Sequence, residues 1–181
     1  MPRPAPIPRL IGPILPLISW MTARYIAYHR RRLIPHATAI PKDMLASMTA
    51  FFPASVLDQT RIAQARMPEP ILSPLAKAFR IRGLREMSSI HAITLMDVVA
   101  YADELDRSTL FHELVHAVQY RVLGLKEFAR LYVRGFFAGG GYEGIPLERQ
   151  AYQLGTRFDR RPGIVFSVEE EVIQWHLAGK L

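Results

Sequence analysis

The chain of 181 residues contains no cysteine. This absence excludes disulfide bonds, thiolate metal ligands and cysteine nucleophiles, and it is compatible with a reducing compartment. A long hydrophobic run is missing as well, because the uncharged stretch at residues 10–23 is too short to cross a bilayer as a helix. Half of the residues are nevertheless apolar, and a chain of this length can bury a substantial core.

Acidic residues are fewer than basic ones, and the formal net charge is +7. Most of the positive charge comes from arginine, with clusters at 30–32, 80–85 and 160–161. Such a balance favours anionic partners, either nucleic acid or acidic lipid, through long-range attraction. The alternative is a solvated basic exterior, because no nucleic-acid recognition motif accompanies the charge.

Proline and arginine are concentrated in residues 1–40, where Pro13 and Pro16 interrupt the apolar run. We predict an apolar N-terminal arm that packs on a domain formed by residues 41–181. The arm lacks the small-residue cleavage site of a secretory signal, so we expect a cytoplasmic protein. Peripheral attachment to a membrane through Trp20, Tyr25 and the arginines is the alternative.

The pattern along the chain predicts an α+β fold that is mainly helical. Residues 88–103 favour a strand pair, or one bent strand, around a turn at Met96 and Asp97. The apolar spacing then changes to a helical period over 107–122, and Gly124 is a typical stop. We therefore expect a small sheet of two or three strands before that helix.

Further helices are predicted before the strand region at 88–103 and after the helix at 107–122. They are a short helix after Pro41, a segment at 56–67 that fits either a helix or the approach to a strand, a helix that ends at Gly83, a helix at about 125–137, one from Pro146 to about 158, and a last one capped by Ser167.

The motif "HELVH" places His112 and His116 one helical turn apart. Both imidazoles then project from one face and can bind the same zinc ion, whereas Glu113 is rotated away from the first coordination sphere and can act on a water bound to the metal. The alternative is that both histidines are ordinary helix residues hydrogen-bonded to neighbours. The spacing predicts a zinc site with an adjacent general base.

A third ligand must come from a later segment, because the extended HExxHxxGxxH pattern is absent, with Gln119 at the glycine position. The candidates are Glu127, Glu143 and Glu148. Glu148 is the best placed, in the first turn of a helix that can fold back on the "HELVH" helix, and Glu143 is the second choice. The fourth position would be left to water, as in catalytic zinc sites.

"HELVH" followed by "ERQAY" at 148–152 resembles the gluzincin arrangement, HExxH then ExxAD, of membrane-associated CAAX-type and heat-shock zinc endopeptidases. The chain is also similar, on "HAITLMDVVAYAD", "STLFHELVHAVQY" and "YEGIPLERQAY", to a bacterial family of unknown function. The resemblance implies a minimal zincin-like metalloprotease domain with a peptide or protein substrate. In it His112, His116 and Glu148 match the zinc ligands and Glu113 matches the general base.

One departure from the resemblance concerns Tyr152, which stands where the membrane peptidases carry an aspartate that supports a ligand histidine. Glu143 and Asp106 are the candidates to replace that acid. Tyr142, Tyr152 and Arg149 could stabilise an oxyanion, although simple packing is the alternative for each. The strand region 91–101 could pair with an extended substrate, and the triple glycine 139–141 fits either the hinge of a lid or a flexible link.

The competing prediction is a basic module that binds nucleic acid or a membrane surface and in which the metal site is structural or inactive. A combined possibility is that the N-terminal arm targets or inhibits a protease. The sequence does not decide the oligomeric state.

Overall fold

The computed structural model describes residues 12–66, 91–160 and 163–181. This part of the chain forms an α+β fold that is mainly helical, as predicted, and the predicted helix that ends at Gly83 lies outside it. The elements in chain order are α1 (Leu15–Leu33), β1 (Thr38–Ala39), α2 (Lys42–Met48), α3 (Ala54–Gln59), β2 (Arg61–Gln64), β3 (Ala92–Leu95), β4 (Val98–Tyr101), α4 (Arg107–Gly139), α5 (Pro146–Arg160) and α6 (Val168–Leu177), with 3-10 turns at Gly12–Ile14, Ile34–His36 and Tyr142–Gly144.

The sheet has the strand order β1-β2-β4-β3. Strands β3 and β4 are antiparallel and joined by a turn at Met96 and Asp97, so the predicted strand pair is confirmed. The prediction of two or three strands was too low, because the ambiguous segment at 56–67 forms α3 and then β2, which pairs in parallel with β4. The two-residue strand β1 extends the sheet antiparallel to β2. In the described sheet β3 is therefore an edge strand.

Helix α4 is the central element of the fold. Asp106 caps its first turn by accepting a hydrogen bond from the backbone N–H of Thr109 at 2.7 Å. Gly124 interrupts the helix with φ 75° and ψ 159°, a conformation that favours glycine, and the predicted break between two helices is confirmed there. The second half continues to Gly139.

Two hydrophobic clusters cover α4. The first packs its N-terminal half against α2, α3, α5 and α6, and five phenylalanines contribute to it: Phe51, Phe52, Phe111, Phe158 and Phe166. The Phe111 and Phe158 rings stack with their centroids 4.3 Å apart. The second cluster packs the C-terminal half of α4 against α1, β3 and the chain at 142–147. Packing on both halves thus fixes α4 in the fold.

The predicted proline-broken arm instead contains a 19-residue helix, α1. Pro16 lies in its first turn. Backbone N–H groups there have no hydrogen-bond acceptor within the helix, so a proline, which lacks the N–H, is tolerated. Ile18 and Ile26 of this helix are buried in the second cluster. The domain division at residue 40 stays a prediction. None of the described helices combines the length and the apolar composition of a membrane span.

The triple glycine forms the turn that ends α4, and its role as a hinge or as a flexible link stays a prediction. Gly140 has φ 76° and ends α4 in the left-handed conformation. The backbone of Gly139 touches that of Gly144 so closely that a Cβ atom at either position would collide with the other. This contact returns the chain directly onto α4 and starts α5 at Pro146.

Candidate metal centre

The first half of α4 presents His112, Glu113 and His116 because its other face is apolar. Leu110, Phe111, Leu114, Val115 and Val118 are fully buried on that face and fix the rotation of the helix. The Nε2 atoms of His112 and His116 lie 3.1 Å apart.

Glu148 reaches these two rings from the first turn of α5. Its Oε2 atom lies 3.4 Å from Nε2 of His112 and 3.3 Å from Nε2 of His116. The carboxylate is buried, with only 4% of the residue exposed. The three residues therefore form a cluster that could hold a metal ion, and the choice of Glu148 over Glu127 and Glu143 agrees with it.

The spacing of the three donor atoms suits a single metal ion bound at tetrahedral angles. Ligand atoms at roughly 2.0 to 2.1 Å from zinc and at tetrahedral angles lie about 3.3 to 3.4 Å from one another. The three distances in the cluster are 3.1, 3.3 and 3.4 Å. Around a bound ion these three atoms would form one face of the tetrahedron, and a further ligand would take the fourth corner.

Gln119 determines which nitrogen of His116 carries the proton. The Gln119 amide nitrogen donates to the carbonyl oxygen of Leu147 and to Oε1 of Gln150, both at 3.0 Å. Its amide oxygen therefore faces Nδ1 of His116, at 2.8 Å, and accepts the Nδ1–H hydrogen. Nε2 of a neutral His116 then points a lone pair at the other two donor atoms, as a metal ligand requires.

The orientation of Gln119 is fixed in turn by Gln150. The Gln150 amide donates to the carbonyl oxygen of Glu171 at 3.1 Å, so its own oxygen must face Gln119. Both glutamines are fully buried. A continuous chain of hydrogen bonds thus runs from His116 on α4 through α5 to α6.

The electrostatics of the cluster couple His116 and Glu148. Burial is the largest single influence on His116 and would lower its pKa, but the charges of Glu148 and Glu113 and the hydrogen bonds to Glu148 and Gln119 together outweigh burial and raise this pKa to about 9. Burial would raise the pKa of Glu148, but the two imidazoles hold it well below its usual range. Glu148 is therefore ionised and needs a cation beside it, either a metal ion or a proton on His116.

Phenols surround the Glu148 carboxylate. The hydroxyl of Tyr142 donates to Oε2 of Glu148 at 2.7 Å. Burial and the Glu148 charge raise the pKa values of Tyr142, Tyr132 and Tyr120, so all three stay protonated at neutral pH. Tyr142 thus orients the carboxylate without adding negative charge to the cluster.

Glu113 is held by Thr94 of β3. The Thr94 hydroxyl lies 2.7 Å from Oε2 of Glu113 and 2.9 Å from the Glu113 backbone oxygen, so its single hydrogen can serve either acceptor. Glu113 is 5% exposed and Thr94 is 4% exposed. The edge strand therefore fixes the carboxylate that the motif places beside the ligands.

A cleft of about 800 Å³ opens over His112 and Glu113. His91 and Ala92 of the strand region line one side, and Ser108 and Thr109 of α4 contribute to the wall. The predicted oxyanion donors Tyr142, Tyr152 and Arg149 also line it.

The structure places these three candidates differently. The Tyr152 residue is 55% exposed, and its ring packs against His112 with centroids 4.6 Å apart. Arg149 is exposed at the cleft, whereas Tyr142 is buried with its hydroxyl directed to Glu148.

The acids predicted to support a ligand histidine do not do so. Asp106 caps α4, and Glu143 is exposed on the rim of the cleft. Gln119 makes the contact to His116 instead, with a neutral amide. Glu127, the weakest ligand candidate, pairs with Arg130 at 2.5 Å.

Three functional residues were not foreseen in the sequence. Gln119 follows His116 by three positions and so lies on the same helical face, a signal that could have revealed it. Gln150 and Thr94 act across tertiary contacts, for which no local pattern exists.

Comparisons with known proteins do not place the chain in a family. A scan against protein-family models, a search of curated proteins and a search of solved structures all found no match. The resemblance to zinc endopeptidases therefore stays a prediction.

Proposed function

We propose that this protein is a zinc-dependent metallopeptidase in which His112, His116 and Glu148 hold the metal and Glu113 is the general base. The observation that carries the proposal is the triangle of three donor atoms 3.1 to 3.4 Å apart. Two imidazole nitrogens and one carboxylate oxygen with an open corner form a donor set typical of catalytic zinc. At its centre a cation would also neutralise the buried Glu148 charge.

Zinc in such a site supplies a Lewis acid that makes water nucleophilic near neutral pH and polarises a carbonyl group. The chain supplies the base. Glu113 would accept the proton of the attacking water and return it to the leaving nitrogen. Thr94 supports both states of Glu113, because its hydroxyl can donate to the carboxylate and can turn to the backbone oxygen when that carboxylate is protonated.

The position of β3 favours a peptide as the substrate. His91 and Ala92 line the cleft at the start of this edge strand, and an extended peptide can add to such an edge through backbone hydrogen bonds. The carbonyl to be cleaved would then lie near His112 and Glu113. Tyr152 and Arg149 are our candidates to stabilise the oxyanion, because Tyr142 already donates its hydrogen to Glu148.

The alternative function, a binding module with a structural metal, fits the cluster less well. Structural zinc sites usually have four protein ligands and exclude solvent. The described residues provide three ligands at this point, and a cleft reaches one of them, His112. An open site of this kind is suited to catalysis.

The test combines metal analysis with a peptidase assay on the full chain. We expect one zinc ion per chain in the wild type, loss of zinc in Glu148→Ala, and retained zinc without hydrolysis in Glu113→Gln. Hydrolysis would be followed with an unstructured protein such as casein.

Glu143→Ala is the matched control, because it removes an exposed acid from the rim of the same cleft. It should keep both zinc and activity. Zinc bound equally by Glu148→Ala would refute the ligand set, and full activity of Glu113→Gln would refute the mechanism.

A further inference from the structure

The positive charge of the protein is concentrated at its N-terminal end. Residues 1–42 contain seven basic and no acidic residues, whereas residues 43–181 contain sixteen of each sign. The net charge of +7 therefore comes entirely from the first 42 positions. Four of the seven basic residues lie on α1: Arg24, Arg30, Arg31 and Arg32.

The outer face of α1 is apolar at one end and basic at the other. Leu17, Trp20 and Met21 are exposed in its first half, and Arg24, Tyr28 and Arg31 continue the same stripe at helical spacing. Trp20 is 61% exposed. Among the described residues, the segment from Ile14 to Ile34 holds six of the eleven large hydrophobic residues that are exposed.

The inner face of α1 is anchored to the fold. Ile18 and Ile26 are buried in the second hydrophobic cluster, and the Arg30 guanidinium forms two hydrogen bonds with the Asp97 carboxylate on the β3–β4 turn. The helix is thus already formed, and its outer stripe needs no folding step before it binds a partner. In the described part of the chain, neither Arg24 nor Arg31 forms an ion pair.

We propose that the outer face of α1 is a docking surface for anionic membranes. Exposed Trp, Leu and Met side chains can enter the boundary between headgroups and acyl chains, while arginines contact the lipid phosphates. Nucleic acid would use the arginines but would leave the apolar half of the stripe in water. The combination of both halves on one face therefore favours lipid.

The aromatic residues on the proposed docking surface differ from those expected from the sequence. The sequence suggested membrane attachment through Trp20 and Tyr25. Trp20 is exposed, as such attachment requires, but Tyr25 is half-buried with its ring against His29, at a centroid distance of 4.3 Å. Tyr28, which is 54% exposed, lies on the outer stripe instead. The inference is independent of the metal centre, because no residue of the stripe belongs to it.

The experiment measures co-sedimentation of the full chain with vesicles. Vesicles of phosphatidylcholine with phosphatidylglycerol are compared with phosphatidylcholine alone. We expect binding to the anionic vesicles that weakens with salt. Arg24→Gln combined with Arg31→Gln should weaken it by roughly fivefold per arginine removed, the factor that corresponds to about 1 kcal/mol. The matched control is Lys126→Gln with Arg160→Gln, which lowers the net charge equally on other helices and should bind within twofold of the wild type.

The apolar half of the stripe is tested by fluorescence. The chain has two tryptophans, so Trp175→Phe leaves Trp20 as the only reporter. Its emission should move to shorter wavelength on anionic vesicles. Leu17→Ser with Met21→Ser should weaken binding, whereas Val165→Ser with Leu177→Ser, an apolar pair elsewhere that is more exposed, should not. Circular dichroism of each variant confirms that the fold is retained.

Several results would overturn the proposal. They are equal binding by wild type and the arginine variant, an unchanged Trp20 emission on vesicles, and binding to duplex DNA without binding to vesicles. A stable dimer that the Leu17 and Met21 substitutions dissociate, in a protein that ignores vesicles, would assign the stripe to a second copy of the chain.

Discussion

The metal cluster and the outer face of α1 use charge in opposite ways. In the cluster, the Glu148 carboxylate is buried and touched by two imidazoles and a phenol. On α1, Arg24 and Arg31 are exposed to solvent. A buried charge must be compensated at contact distance, whereas an exposed charge can act on a distant partner. The first arrangement suits tight binding of a small ion, and the second suits recruitment to a large surface.

The largest expected difference between the two regions is in stability. Phe111→Ala removes a fully buried ring that stacks on Phe158, and we expect the free energy of unfolding to fall by about 3 to 5 kcal/mol. Trp20→Ala removes an exposed ring and should cost within about 0.5 kcal/mol. Urea unfolding followed by circular dichroism measures both values. A similar loss for the two variants would mean that α1 packs its outer face against something within the chain.

The second-largest effect that we expect is a loss of stability when the metal is removed. A ligand that binds only the folded state, at a hundredfold excess over its dissociation constant, stabilises it by about 2.7 kcal/mol. We therefore expect a chelator to lower the melting temperature of the wild type. Glu148→Ala, which has already lost a ligand, should show no such response. An unchanged wild-type melting temperature after complete zinc removal would contradict a site formed by the folded state.

Gln119→Leu tests the hydrogen bond that orients His116. The change keeps a side chain of similar size but removes the acceptor for Nδ1–H, and it also leaves Gln150 without its donor. We expect zinc affinity to fall by roughly ten- to a hundredfold, the usual effect of losing a partner of a ligand histidine. Competition with a zinc-binding dye measures it. Gln174→Leu, an exposed glutamine on α6, is the control and should retain full affinity.

Thr94→Val should have the smallest effect on the metal and a selective effect on turnover. Valine has nearly the shape of threonine but cannot hydrogen-bond to Glu113. We expect zinc content to be unchanged and kcat to fall by about tenfold, which is less than the roughly hundredfold or larger contribution of a general base itself, because Thr94 only positions Glu113. Thr94→Ser, which restores the hydroxyl, should recover most of the activity. Loss of zinc in Thr94→Val would show that β3 shapes the ligand cluster as well.

Local signals predicted much of α4 and α5. The break at Gly124 and the start at Pro146 each depend on a few neighbouring residues. The placement of His112 and His116 followed from the helical spacing of the motif, and that of Glu148 from the predicted start at Pro146. The turn at Met96 and the cap at Ser167 were predicted on the same basis and are confirmed.

Features that depend on distant partners were missed or misjudged. Pro13 and Pro16 suggested a broken arm, yet a proline in the first turn is compatible with α1. The segment that contains strand β2 was left open between a helix and a strand, because the parallel partner β4 that decides it lies more than thirty residues away. Gln119 had a local signal, its spacing from His116, but the Gln150 contact that fixes its orientation spans 31 positions and has none.

The contact between Gly139 and Gly144 makes the candidate metal centre dependent on the turn before α5. Glu148 reaches the two histidines because the chain reverses at a turn where the backbones of Gly139 and Gly144 touch. A side-chain methyl group on either residue would not fit there. A designer who transferred the three ligands to another helical scaffold would have to carry this turn along with them. For the same reason, alanine in place of Gly139 or Gly144 would displace Glu148, although none of the three ligand candidates would have been substituted.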